Sequence, residues 1–201
     1  MGALGVIGAG VAWYLIDDKL TPTEDHIVNC KNGRRLYEQM VEFELDYLSL
    51  PSAESVQDDP EMEPLDLTSS NGYLGQLVVA AAMDSEQLFY IKGSAICSES
   101  GPDNVVMPRN EVLRPGENGW AYFKGRELGG DPKLPLLVPG WNPATKKWDD
   151  IWKNGIPVVM LDGSVVLYQA PSDGTAGEYK TLKEKLPFDL ADPNLIQPAH
   201  K

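Results

Sequence analysis

The stretch Ile156-Pro157-Val158-Val159-Met160-Leu161-Asp162-Gly163-Ser164-Val165-Val166-Leu167-Tyr168 decides the fold. Two β-prone runs flank an Asp-Gly pair, and a two-residue Asp162-Gly163 loop calls for a type I′ hairpin, because both central residues take positive φ. In that register Val159 faces Val166 and Met160 faces Val165. Both faces of such a hairpin are largely apolar, so one side must meet a helix and the other a covering loop or partner. Asp162 carries an acid's chemistry, but an aspartate at a hairpin turn is read first as conformational.

The helix that this sheet requires lies upstream. Leu36, Met40, Phe43, Tyr47 and Leu50 recur at spacings of four and three, while Arg34, Arg35, Glu38, Glu42 and Glu44 fall mostly elsewhere on the cylinder. Thr21-Pro22-Thr23-Glu24 reads as its start, with Thr21 as cap and Glu24 in the capping-box position. A second helix is expected after Ser69-Ser70-Asn71, running to about Ser85. Leu88–Ile91, Trp120–Phe123 and Leu136–Val138 read as further short strands. The class is therefore α+β, a long N-terminal helix packed on a C-terminal antiparallel sheet. Residues 21–201 form one globular domain, with an acidic solvated loop over 52–68 and an extended tail from about 179. In that loop Glu54, Asp58, Asp59, Glu61, Glu63 and Asp66 arrive without a basic residue.

Residues 1–20 are a short apolar segment of a different kind. Gly2 to Ile16 carry no charge, and Asp17, Asp18 and Lys19 close the run. As a helix it would span about 22 Å against a hydrocarbon core of about 30 Å, short for a crossing. A membrane anchor through 2–16 is the preferred reading, ahead of a buried core helix and a cleaved signal peptide. Val6-Ile7-Gly8-Ala9-Gly10-Val11 also imitates a dinucleotide-binding turn, but Trp13 occupies the place of the third glycine, where an indole blocks close helix–sheet packing.

Composition restricts the chemistry. Thirty acidic against seventeen basic residues leave a formal charge of −13, which disfavours nucleic acid as a partner. Cys30 and Cys97 are a candidate disulfide in an oxidising compartment, with two free thiols the alternative. His26 and His200 are the only histidines. Ser70 or Ser94 with His26 makes no recognisable nucleophile–base spacing, and Glu61 with Glu63 has no fixed separation for glycoside hydrolysis. No catalytic residue and no cofactor are assigned. Trp120, Trp141, Trp148 and Trp152 could form a stacking surface of a tethered ligand-binding module, with core packing the preferred reading.

Several stretches carry a resemblance. Asn29-Cys30-Lys31-Asn32-Gly33-Arg34-Arg35-Leu36 opens the soluble helix, which runs to Asp46 and Pro51. Ser70–Leu77, Glu86–Tyr90, Pro102-Asp103-Asn104 and Val159–Val165 follow. Together these resemble a branch of the pilin-like proteins, the type II secretion pseudopilins and type IV pilins, over about residues 25 to 169. The resemblance implies a non-enzymatic structural subunit of the cell envelope, with its membrane-anchored helix assembling with copies of itself or with other pilin-like subunits. It also implies an inner-membrane protein with an extracytoplasmic domain, or a cell-surface one. Two departures stand out: the processing site with its basic leader and glutamate is missing, and Trp152 stands where many relatives carry histidine. Some pseudopilins bind calcium in a C-terminal loop. Asp173-Gly174-Thr175-Ala176-Gly177-Glu178 is the nearest acidic candidate here, with an ordinary polar turn preferred.

Overall fold

The computed structural model describes residues 23–105, 107–142, 145, 147–153, 155–168 and 186–200, with the backbone of 14–15. The elements are strand β1 (Tyr14–Leu15), helices α1 (Glu24–Tyr47), α2 (Ala53–Asp58) and α3 (Ser70–Val79), then strands β2 (Trp120–Phe123), β3 (Pro135–Pro139), β4 (Ile156–Met160), β5 (Val165–Tyr168) and β6 (Leu195–Ile196). Strand order is β1-β5-β4-β3-β2-β6. Every pairing from β5 to β6 is antiparallel, and β1 adds to the β5 edge in parallel. The α+β class therefore holds, with an N-terminal helix against an antiparallel sheet.

The apolar stripe of α1 lies against β4 and β5. Leu36, Met40 and Phe43 are buried, and so is Cys30 six residues before Leu36. Tyr47 is only half-buried; its ring stacks on Phe43 at 4.3 Å and its hydroxyl donates to Asp59 Oδ2 at 2.8 Å. Gly33 lets helix and sheet approach closely. A Cβ there would stand 2.8 Å from Val159 Cγ2 and 3.0 Å from Trp120 Cη2, so a side chain would push the two layers apart.

The hairpin exists, with a register one residue from the expected one. Val159 pairs with Val165 and Val158 with Val166. Leu161-Asp162-Gly163 makes a three-residue loop: Gly163 N–H donates to Met160 O at 2.9 Å, and Met160 N–H donates to Ser164 O at 2.8 Å. Gly163 alone of the Asp-Gly pair has positive φ, +76°, the pattern of a turn closed by a left-handed glycine bulge. All five residues of β4 are buried, so hydrophobic pattern could not choose between registers, and the turn chose. Arg34 Nη1 donates to the carbonyl of Gly163 and fastens the loop to α1.

Other boundaries moved for local reasons. The cap of α1 is Thr23 and not Thr21, with His26 in the reciprocal role. The 52–68 run is not simply a solvated loop. Ser52 and Ser55 cap each other at the start of α2, a 3-10 turn spans Pro60–Met62, and Met62 and Leu65 enter the core. Helix α3 stops at Val79, short of Ser85. Leu88–Ile91 is no strand: a 3-10 turn covers Glu86–Leu88, and Phe89 and Ile91 are buried beyond it. The C-terminal segment is not a free tail over 186–200, since Leu186, Leu190 and Leu195 are buried and β6 pairs with β2.

Helix α3 is buried along its whole length although it carries Ser70, Asn71 and Gln76. Each polar group there has work holding other segments. Gln76 joins Ser52 and Ser55, Ser70 Oγ donates to Trp120 O at 2.7 Å, and Asn71 Nδ2 donates to Leu113 O at 2.6 Å. Asn118 closes the set by donating to Ser70 Oγ and accepting from Trp120 N–H. Buried polar groups in such a network fix one arrangement of loops around the helix.

Candidate functional site

The sequence-level candidates do not converge. His26 is buried beside the edge of Trp152 at 5.7 Å. Its Nε2 lies 3.1 Å from Gly155 O, an acceptor only, so Nε2 carries the proton and Nδ1 accepts from Thr23 Oγ1 at 2.7 Å. Desolvation lowers its pKa below 6.5, against the opposing pull of the Gly155 carbonyl and Asp25. That is a neutral histidine capping a helix, occupied at both nitrogens. Ser70 is committed to Trp120 O, and Ser94 Oγ donates to Asp149 Oδ2 at 2.6 Å. Neither serine meets a base of the kind needed to activate it.

Cys30 and Cys97 are not joined in a disulfide with each other. Burial pushes the Cys30 thiol up to about 12, so it is an inert core residue, while Cys97 Sγ accepts from Ile91 N–H at 3.5 Å. The four tryptophans are all buried, which removes the stacking surface. Trp148 Nε1 donates to Pro139 O, and its ring meets Trp141 edge-on at 5.4 Å. Glu61 accepts from Arg109 Nη2 at 2.8 Å, and its neighbour Glu63 is exposed. Asp162 Oδ1 accepts from Ser164 N–H at 2.8 Å, as a turn aspartate does. The 173–178 acidic candidate and most of the 2–16 segment lie outside the described residues. Among the described residues no helix is long and apolar enough to cross a membrane.

Two features stand out among the described residues. An open cleft of about 450 Å³ is lined by Tyr90, Ser94, Cys97, Asp149 and Ile151 among others. Some of its polar groups engage each other, since Asp149 Oδ2 takes both Ser94 Oγ and Ala95 N–H and Tyr90 Oη donates to Ser98 O, while Glu99 and Asp150 also line it.

The second is an acidic corner. Glu86, Asp103 and Glu117 each place one carboxylate oxygen within 4.8 Å of the others. Glu86 enters from the 86–88 turn, Asp103 from the loop before Asn104, and Glu117 from the Pro115–Gly119 turn. Glu86 and Glu117 are buried. Glu86 Oε2 accepts from Asn104 N–H at 2.8 Å, whereas Oε1 is buried without a hydrogen bond. The guanidinium of Arg114 pairs with Asp103, with Glu111 at 3.5 Å and with Glu117 at 3.6 Å. Desolvation and the neighbouring Glu117 raise the Glu86 pKa, opposed by the backbone N–H groups of Asn104 and Leu113 and by Arg114. No spacing in the sequence joins residues 86, 103 and 117, which meet only through folding. Compared with protein-family profiles, with curated proteins and with solved structures, the chain matches none.

Proposed function

We propose that the chain is a non-enzymatic structural subunit of the cell envelope, pilin-like or pseudopilin-like, that works by assembly with copies of itself or with similar subunits. The observation that carries this reading is where the motif residues sit. On α1, Gly33 stands against Val159 of the C-terminal hairpin and Arg34 donates to its Gly163 carbonyl, while Cys30 and Leu36 of the same stretch are buried. Two of the stretches that carry the resemblance, 29–36 and 159–165, thus meet in one helix–sheet seam, and this supports the reading. Exposed apolar side chains at the far end of α1, Leu45 at 75% and Leu48 at 88%, give the reading a surface on which another subunit can pack. Residues of the 2–16 segment ahead of β1, whose Tyr14 and Leu15 pair with β5, would tether the chain, with the domain displayed outside the cytoplasm or on the cell surface.

Electron microscopy of the full chain extracted from membranes tests this. Filaments or regular oligomers are expected. Uniform single particles, from protein that partitions wholly to the soluble fraction, would contradict it.

A further inference from the structure

We propose that Glu86, Asp103 and Glu117 form a binding site for a hard divalent cation, with calcium as its ion. The first support is geometric. Calcium–oxygen distances of about 2.3–2.6 Å let ligands on one ion stand up to about 5 Å apart, and three carboxylate oxygens within 4.8 Å of one another fall inside that span. The second is the orphaned oxygen. Glu86 is 0% exposed, yet its Oε1 has no hydrogen bond. A buried carboxylate oxygen left without a partner is costly, and a cation lying among the three groups would serve it.

Arg114 does not fill this role. Its guanidinium is placed on Asp103, Glu111 and Glu117 and makes no hydrogen bond to Glu86. One guanidinium thus pairs with three carboxylates, and Glu86 adds a fourth to the corner, so acidic groups outnumber the basic one there. The donor set is all oxygen, without thiolate or imidazole, which selects hard ions over zinc or copper. Its irregular, carboxylate-rich character suits calcium's flexible coordination better than the octahedron magnesium demands. Asp103, with its side chain 35% exposed, stands at the mouth, and the two buried glutamates form the floor. Water would complete the shell. The site is independent of the assembly reading and uses none of residues 173–178.

The test uses the full chain, stripped with a chelator and titrated with calcium chloride alone by calorimetry, with thermal unfolding followed in parallel. One ion per chain and a Tm that climbs with calcium are expected. Glu86→Gln and Asp103→Asn should each weaken binding about tenfold or more, since each removes a ligand charge. The Asp103 variant keeps the test sound if the Glu86 variant fails to fold, because Asp103 is surface-accessible. Absence of both heat and Tm shift at millimolar calcium would overturn the proposal. So would binding that both substitutions leave unchanged, or a larger response to magnesium chloride than to calcium.

Discussion

The α1–sheet seam and the acidic corner were built by opposite means. The seam is apolar and close-packed: Leu36, Met40, Phe43, Val158 and Val159 are buried on it, and Gly33 allows the layers to touch. Polar groups at its margin are matched, Arg34 to Gly163 and His26 to Gly155 and Thr23. Its unmatched groups are neutral, the indole N–H donors of Trp120 and Trp152. The corner gathers several charges, and its unmatched group is a carboxylate oxygen. An orphaned neutral donor costs less than an orphaned oxygen of a carboxylate. The seam therefore accounts for why the chain folds, and the corner is where the fold has kept a group that folding alone does not satisfy.

If the seam dominates stability, Phe43→Ala should be the most damaging of the simple truncations there, costing about 3–5 kcal/mol in urea unfolding. A loss below about 1 kcal/mol would move the weight of the fold elsewhere. Gly33→Val should cost about 1–3 kcal/mol, as added methyls meet Val159 and Trp120 across this close contact. An unchanged Tm would mean the layers can separate freely. His26 sharpens the comparison through pH. Its folded pKa lies below the ordinary 6.5, so as pH falls the unfolded chain takes up the proton first. The imidazole's contribution is complete above 6.5 and is lost as pH falls through the lowered folded value. The stability gap between the native chain and His26→Gln should therefore narrow as the solution is acidified, and a gap that widens would refute the assignment. Asp162→Ala, which removes the turn bond to Ser164, should cost about 0.5–1.5 kcal/mol. A larger penalty, with a new activity lost, would give Asp162 a role beyond the turn.

What could be read in the chain beforehand follows the same division. The α1 stripe was legible because Leu36, Met40 and Phe43 share one face at helical spacing, a signal local in sequence. The hairpin was legible and its register was not: Ile156 to Met160 are buried on both faces, so a one-residue slip leaves the hydrophobic pattern intact. Leu88–Ile91 imitated a strand because a short apolar run has no period long enough to tell a strand from a buried turn. The 52–68 acids hid Met62 and Leu65, whose burial depends on segments that close over them. The corner was illegible for a further reason. Glu86, Asp103 and Glu117 have no spacing rule in common: hydrogen bonds between Glu86 and Asn104 join the first two loops, and Asn71 of α3 holds the Leu113 and Arg114 carbonyls just before Glu117.

The claim that the chain works by assembly is tested most directly by the mass of the full-length, detergent-extracted protein across a concentration series, run beside Leu48→Glu. The account predicts species well above the 22.1 kDa of one chain, growing with concentration, and reduced in the variant while its unfolding temperature stays close to the native one. A single species of one chain's mass at every concentration would contradict it.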